Sequence, residues 1–342
     1  MRRRSTSGVE KGRRYSGRVT QARARAAFAK PALVAGALLL LCGPIVAALL
    51  LRPRASDVAA TSGTPAPASP STPPAYPHFP APPAGAVVFS RRMGADDLAL
   101  AIVPGRPLVL QASVVGAQGD GITGRAVRIS VNEVTHTAAP CGPGCYRADF
   151  AASRPRSVAV AVNGADGTTW HVPPPSSWPP PDATALVARA DRVWRSLRSL
   201  AFVDRLASGH LSALTTRWRV AAPDKVAYQI RGGASAVIVG GSRWDRTSNT
   251  AKWVQSDQTP LTQPLPAWYG VRDAHVLGSS TFEGHPVWIV SFYDPNTPAW
   301  FTIAVEKSTA RTLDMHMIAT SHFMHDTYSS FDSAPPIVPP SR

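Results

Sequence analysis

The sequence predicts a mainly β protein with an α+β C-terminal part, preceded by one transmembrane helix. Three observations predict this fold class: an uncharged apolar run near the N-terminus, a series of short alternating segments between Gly- and Pro-rich turns, and one amphipathic helical segment followed by further strands. We therefore expect a membrane anchor, a small β-sandwich and then a helix-capped antiparallel sheet.

Residues 1–30 form a basic tail. The chain has 342 residues and a formal charge of +15, and this tail alone carries ten of the 36 Lys and Arg residues against one acidic residue, Glu10. The remaining chain is only mildly cationic, so its composition does not require a nucleic-acid-binding surface. We predict no nucleic-acid partner.

Residues 31–51 are uncharged and apolar. At 1.5 Å per helical residue, such a run spans roughly 30 Å, the thickness of a hydrocarbon layer. Because the basic tail precedes it, the positive-inside rule places the N-terminus in the cytoplasm and residues 55–342 outside the cell membrane. A cleaved signal peptide is the alternative, but the charged region and the apolar run are both long for one.

Proline-rich segments divide the rest of the chain. Residues 52–85 and 173–181 have the composition of extended linkers, and residues 333–342 form a Pro-rich tail. Two folded blocks remain, at 86–172 and 182–332.

The first block contains short strands throughout. The segments 107–116, 126–131, 146–150 and 157–162 are strand-like and lie between Gly- and Pro-rich turns, which is typical of a small β-sandwich.

The second block begins with a helix. Asp182 is a plausible N-cap, and apolar residues recur at helical spacing through Leu197, Leu200 and Val203, with Gly209 as the predicted end. Strand-like segments follow, and we expect the last of them, 313–331, to be one long strand.

No sequence motif predicts catalysis. Gly119, Gly121 and Gly124 match a dinucleotide-binding pattern, but a strand rather than a helix follows them, which favours a β-turn. Because no P-loop, zinc-protease or nucleophile-elbow motif occurs either, we predict a protein that is not an enzyme and has no cofactor.

Cys141 and Cys145 enclose a Gly-Pro-Gly turn. Outside the cytoplasm, two cysteines this close most simply form a disulfide, although with His136 they offer a site for a soft metal such as Cu(I).

The last predicted strand is rich in Met and His, which are ligands that suit copper. On one continuous strand, His316, His322 and Met324 would share a face, with His316 and His322 about 20 Å apart, so a site needs ligands from neighbouring strands. The alternative is a buried methionine face opposite solvated histidines. The sequence therefore offers His322, Met324 and His316 as candidate copper ligands.

Seven of the nine tryptophans lie in the second block. Aromatic residues on strands below one helix either fill a core or line a concave apolar cavity, and the sequence leaves both open. The candidate cavity residues are Trp194, Trp218, Tyr228, Trp244, Trp288, Trp300 and Phe323.

After the initial helix, the second block contains four distinctive stretches, at 216–218, 222–228, 243–246 and 290–295. In these stretches it resembles the LolA-type carrier and sensor superfamily. It implies an antiparallel half-barrel closed by helices around a cavity that accepts acyl chains.

Three further stretches, at 141–147, 297–301 and 322–325, are spread over both blocks. With these stretches, both blocks together are similar to the extracytoplasmic C-terminal region of some actinobacterial copper-resistance membrane proteins of the CopC/CopD type. The resemblance implies that the first block is an immunoglobulin-like domain of the YtkA/FixH group. The multi-helix transport domain and the usual copper residues have no counterparts here, so the resemblance implies copper only by association.

These observations predict a single-pass, extracytoplasmic protein that binds a lipid, an acyl chain or a lipoprotein in its C-terminal domain. One alternative is an accessory protein that works with copper-handling proteins of the cell envelope. A second alternative is an envelope-stress sensor.

Overall fold

The computed structural model describes residues 80–163, 169–208 and 212–341. The basic tail, the apolar run at 31–51 and nearly all of the first Pro-rich linker lie outside the described residues. Among the residues that are described, no helix is long and apolar enough to cross a bilayer.

The first folded unit consists of nine short strands: β1 (Val87–Met93), β2 (Asp96–Val103), β3 (Leu108–Val115), β4 (Val127–Val131), β5 (Val134–Thr137), β6 (Ala139–Gly142), β7 (Cys145–Phe150), β8 (Val158–Val162) and β9 (Thr169–Val172). They form two antiparallel sheets, ordered β1-β2-β3-β7-β6 and β5-β4-β8-β9. Alternate apolar residues of both sheets share one buried core, as β-sandwich packing requires.

The described residues of the second unit, 182–208 and 212–332, contain one helix, α1 (Thr184–Arg195), and eleven strands: β10 (Ser199–Ser208), β11 (Leu214–Ala221), β12 (Lys225–Ile230), β13 (Ser235–Val239), β14 (Ser242–Arg246), β15 (Val254–Asp257), β16 (Arg272–Phe282), β17 (His285–Asp294), β18 (Ala299–Glu306), β19 (Thr312–Ala319) and β20 (His322–Ser329). The strands make one antiparallel sheet, ordered β15-β14-β13-β12-β11-β10-β20-β19-β18-β17-β16. The prediction of a mainly β protein with a helix beside a large antiparallel sheet is confirmed.

The sheet consists of two meanders that meet at one seam. β10–β15 follow each other in sequence, as do β16–β20, and only the pairing of β10 with β20 joins the two groups. Along this seam Phe202 faces Tyr328, and Asp204 faces Asp326.

Helix α1 is shorter than predicted. It ends at Arg195, where the backbone N–H of Ser196 donates to the carbonyls of Arg192 and Val193 and the chain then turns into β10. Leu200 is fully buried whereas Val203 is 42% exposed, because these residues alternate across a strand instead of sharing a helix face. Residues 199–208 instead pair with β11 on one side and β20 on the other.

The expectation of one long last strand is wrong. β19 and β20 form a hairpin in which Ala319 pairs with His322 across a turn at 320–321, and His316 pairs with His325. Ser321 occupies the left-handed region at a φ of 52°, which a tight turn requires.

The two faces of the large sheet have different partners. One face, called the helix face, packs against α1 through Val187, Ala190 and Trp194. The opposite face, called the outer face, packs near β17–β20 against apolar residues of β1 and β2, including Val88 and Ala101.

Polar contacts also join the two units. Arg205 on β10 forms an ion pair of 2.9 Å with Asp97 on β2, and Ser90 Oγ donates to Thr302 Oγ1 at 2.8 Å. The units therefore share an interface with both apolar and polar contacts.

The Pro-rich segment 173–181 also contacts the first unit, because Trp178 packs against the sandwich core.

Candidate functional site

Three predicted aromatic residues belong to a chain of ring contacts on the helix face. Trp194 meets Tyr328 edge-on at 4.9 Å between ring centroids, and Tyr328 meets Phe202 at 5.5 Å. Phe202 stacks on Trp218 at 5.7 Å, and Trp218 contacts Tyr228 at 4.8 Å. These five rings cross the seam and pack against one another, as rings do in a core.

The other predicted aromatic residues do not join this chain. Trp300 and Phe323 are buried on the outer face against the sandwich. Trp244 packs on the outer face beside Ile337 of the C-terminal tail. Trp288 lies at the margin of the helix-face core, with Lys307 Nζ 3.9 Å from its ring centroid.

A pair of buried carboxyl groups interrupts the apolar seam on the helix face. Asp204 and Asp326 face each other across β10 and β20, and the hydroxyl of Tyr328 donates to Asp326 Oδ2 at 2.7 Å. Burial, followed by the charge of the neighbouring carboxyl, raises the pKa of Asp204 well above its usual value. Burial also raises the pKa of Asp326 to about 6. The pair is therefore held together best when at least one carboxyl is protonated.

A cavity of about 510 Å³ lies where β10–β13 border the C-terminal tail. Its floor and one wall come from outer-face side chains: Ala201, Val203, Ala227, Val237 and Trp253. Phe202, Trp218 and Tyr228 also border it, although their side chains point to the opposite face of the sheet. The tail closes one side through Ser330 and Pro335.

Three arginines stand around this cavity, which is called the arginine groove below. Arg217 is exposed and lies directly opposite Val203 in the β10·β11 pairing. Arg219 Nη1 donates to the carbonyl of Pro336 at 3.4 Å, and Arg246 Nη1 donates to the carbonyl of Asn249 at 3.2 Å. Within 80–163, 169–208 and 212–341, no carboxylate forms an ion pair with any of the three guanidinium groups.

The predicted metal ligands lie on two different faces of the sheet. In the β19–β20 hairpin His316 pairs with His325, so His322 and Met324 lie on the face opposite to His316. His322 and Met324 point to the helix face, where the Ser208 hydroxyl hydrogen-bonds His322 Nδ1 and Met324 packs in the apolar core. His316 lies on the outer face, stacked on His325 with ring centroids 3.8 Å apart. Burial lowers the pKa of both His316 and His322 to about 4, so both rings are neutral at pH 7.

The two cysteines are joined. Cys141 on β6 and Cys145 on β7 form a disulfide with a Cα–Cα distance of 5.0 Å. His136 does not join them, because its ring stacks on Phe150 at 4.6 Å and its Nδ1 lies 3.0 Å from the carbonyl of Asp149.

Sequence reasoning missed the arginine groove and the carboxyl pair. Arg217 and Arg219 are two residues apart in a strand-like segment, and this alternation already places both on one face. The pairing of Asp204 with Asp326 had no comparable signal, since the two residues meet only through a register between strands more than 100 positions apart.

No protein-family model and no curated protein matches the chain. The C-terminal half has distant structural similarity to three solved structures. The lipoprotein LppX from Mycobacterium tuberculosis is 11% identical at a TM-score of 0.36, with 45% of this chain and 97% of LppX covered. LprF from Mycobacterium bovis is 10% identical at 0.35, with 47% and 97% covered. A LolA superfamily protein from Nitrosomonas europaea is 11% identical at 0.21, with 46% and 95% covered. At this level of similarity, we take the function from the residues of the chain itself.

Proposed function

We propose that this chain is a membrane-anchored, non-enzymatic binding protein that holds an amphipathic anion in the arginine groove. An acyl chain or lipid with an acidic head group has the required chemistry. The observation that carries the proposal is the juxtaposition, in one cavity, of an apolar lining that is exposed at Val203 and three guanidinium groups that form no ion pair with a described carboxylate.

The apolar part of the ligand would lie on the floor of the groove. Val203 leaves 42% of its surface exposed in the middle of a central strand, next to Ala227, Val237 and the ring of Trp253. Removing such apolar surface from water contributes roughly 25 cal/mol per Å². The volume of about 510 Å³ also falls within the usual range for small-molecule pockets, about 300–1,000 Å³.

The acidic part would meet the arginines. A guanidinium group offers several N–H donors in a planar fork, so it binds carboxylate and phosphate oxygens through paired hydrogen bonds. Arg246 is held at the groove by hydrogen bonds from both terminal nitrogens to Asn249 and by the ring of Trp253, whose centroid lies 4.6 Å from its guanidinium. Arg217 has the most freedom to reach a ligand, since its side chain is exposed.

The position of the protein in the cell is part of the proposal and is supported by the sequence. The basic residues 1–30 before the apolar run 31–51 favour a cytoplasmic N-terminus and an extracytoplasmic groove. Protease added to intact cells should remove a C-terminal epitope tag but leave an N-terminal one. Protection of the C-terminal tag in intact cells would contradict this orientation.

The binding test uses the full chain, delipidated and titrated with a fluorescent fatty acid. We expect saturable binding of one equivalent, and at least tenfold weaker binding by Arg217→Gln, which loses the charge. Arg217→Lys keeps the charge and should recover part of the affinity. Arg189→Gln, on the exposed side of α1, is the matched control and should bind like the wild type.

A neutral ligand tests the apolar lining of the groove independently of its arginines. The methyl ester of the same fatty acid should bind more weakly than the acid to the wild type, and equally to the wild type and Arg217→Gln. Equal binding of acid and ester by the wild type would refute a role for the arginines. Failure of the wild type to bind either probe would refute the groove as an acyl-chain site.

The copper-handling and envelope-sensor alternatives remain predictions from the sequence.

A further inference from the structure

A second cluster of functional groups lies on the outer face, away from the arginine groove. His316 on β19 and His325 on β20 are direct cross-strand partners, and Asp314 precedes His316 by two residues on the same face. One ligand atom from each of these residues lies within 4.8 Å of the others. The hairpin thus brings two imidazoles and one carboxylate to a single point.

Local contacts already orient this cluster. His325 Nε2 lies 2.7 Å from Asp314 Oδ1, and Thr327 Oγ1 donates to the same oxygen at 3.3 Å. The ring of His316 stacks on that of His325 with 22° between the planes. These contacts hold the three side chains against one another on the outer face before any ligand binds.

Two arginines and one carboxylate set the charge around the cluster. Arg205 on β10 is paired with Asp97 at 2.9 Å and lies 4.3 Å from the ring centroid of Phe323. Arg92, from the sandwich, donates its Nε–H to the carbonyl of Gly94 at 3.2 Å, a contact that leaves its positive charge in place. Asp314 supplies the negative charge that a bound cation would meet within the cluster itself.

We propose that Asp314, His316 and His325 bind one divalent transition-metal ion, Zn²⁺ or Cu²⁺, at the interface between the sandwich and the large sheet. Two imidazole nitrogens and one carboxylate oxygen suit these ions, whereas Ca²⁺ and Mg²⁺ prefer oxygen ligands alone. The thioether of Met324 lies on the opposite face, so the cluster lacks the sulfur ligand that favours Cu(I).

The ligand atoms need only a small rearrangement. Bonds of about 2.1 Å in a tetrahedral site place neighbouring ligand atoms about 3.4 Å apart. The observed separations, within 4.8 Å, close to this value by rotation of the imidazole rings out of their stack. Three protein ligands leave the fourth position for water or an exogenous group.

The test measures metal binding by the full chain, free of affinity tags and treated with chelator. Competition with a chromophoric chelator should show one equivalent of Zn²⁺ bound at micromolar or tighter affinity. His325→Gln and Asp314→Asn should each weaken binding at least tenfold. His171→Gln, an exposed histidine on β9, is the matched control and should leave binding unchanged.

Spectroscopy identifies the ligands independently of affinity. The electron paramagnetic resonance spectrum of the Cu²⁺-loaded wild type should show coupling to two imidazole nitrogens, and His316→Phe, which preserves the ring packing, should retain only one. Circular dichroism of each variant shows whether it has folded. The proposal is overturned if the folded wild type binds neither ion at micromolar concentration, or if the folded variants bind as tightly as the wild type.

Discussion

The buried carboxyl pair predicts that Asp326→Asn makes the protein more stable at neutral and alkaline pH. The amide has nearly the same shape as the carboxyl group, can accept the hydrogen bond from Tyr328 through its oxygen and can donate to Asp204 through its nitrogen. It removes a group that must ionise in a buried position as the pH rises.

The expected gain in the free energy of unfolding follows from the pKa of Asp326, which burial raises from 3.8 to about 6. Below pH 4 the carboxyl group of Asp326 is protonated in both the folded and the unfolded chain, so its titration does not change the free energy of unfolding there. Between pH 4 and pH 6 the unfolded chain releases the proton while the folded chain keeps it, so stability falls as pH rises. Above pH 6 the loss is complete, at about 3 kcal/mol.

The assay compares urea unfolding of the wild type and Asp326→Asn from pH 4 to pH 8. The difference in unfolding free energy should shift toward the variant by about 3 kcal/mol, with most of the change between pH 4 and pH 6. Asp257→Asn, an exposed carboxyl on β15, is the control and should give a flat difference curve. A flat curve for Asp326→Asn, or a variant less stable than the wild type at pH 8, would refute the reasoning.

Three further predictions concern other parts of the molecule. Arg205→Met leaves Asp97 buried without its partner and should cost about 3–5 kcal/mol, whereas adding Asp97→Asn should restore much of the loss in a double-mutant cycle. Replacing Cys141 and Cys145 with Ser opens a short loop and should lower stability by about 2 kcal/mol, and reductant should then affect the wild type but not the variant. Phe292→Ala removes a fully buried ring from the helix-face core and should cost about 3–5 kcal/mol by thermal or urea unfolding; a loss below 1 kcal/mol would contradict its place there.

Local patterns were enough to predict the class of the fold. The strands of the sandwich alternate apolar and polar residues between turn-forming residues, and this period is a property of neighbouring positions alone. Leu200 and Val203 show the limit of such patterns, since a spacing of three residues also occurs by chance in a strand. Only pairing with β11 and β20 shows that the two residues face opposite sides.

The functional clusters depended on contacts that no local pattern contains. The turn at 320–321 lacks the Gly, Asn or Pro that usually marks a hairpin. Without that signal, the sequence predicts one continuous strand with His316 and His322 on the same face, which is wrong. A shift of one position in the strand pairing exchanges the two faces of a strand. In the hairpin, His325 is the cross-strand partner of His316, and His322 therefore lies on the opposite face. The arginine groove needed, in addition, the return of the C-terminal tail along β11.

The seam between β10 and β20 means that the large sheet cannot be completed until the last strand has been made. A chain that stops before residue 322 would leave two separate meanders, with β10 and β19 as unpaired edges that are open to pairing with other chains. Because the seam joins the first strand of the sheet to its last, closing it requires a loop of more than 100 residues, a slow contact in a folding chain. Truncation near the C-terminus should therefore be more damaging for this protein than the loss of either outermost strand, β15 or β16.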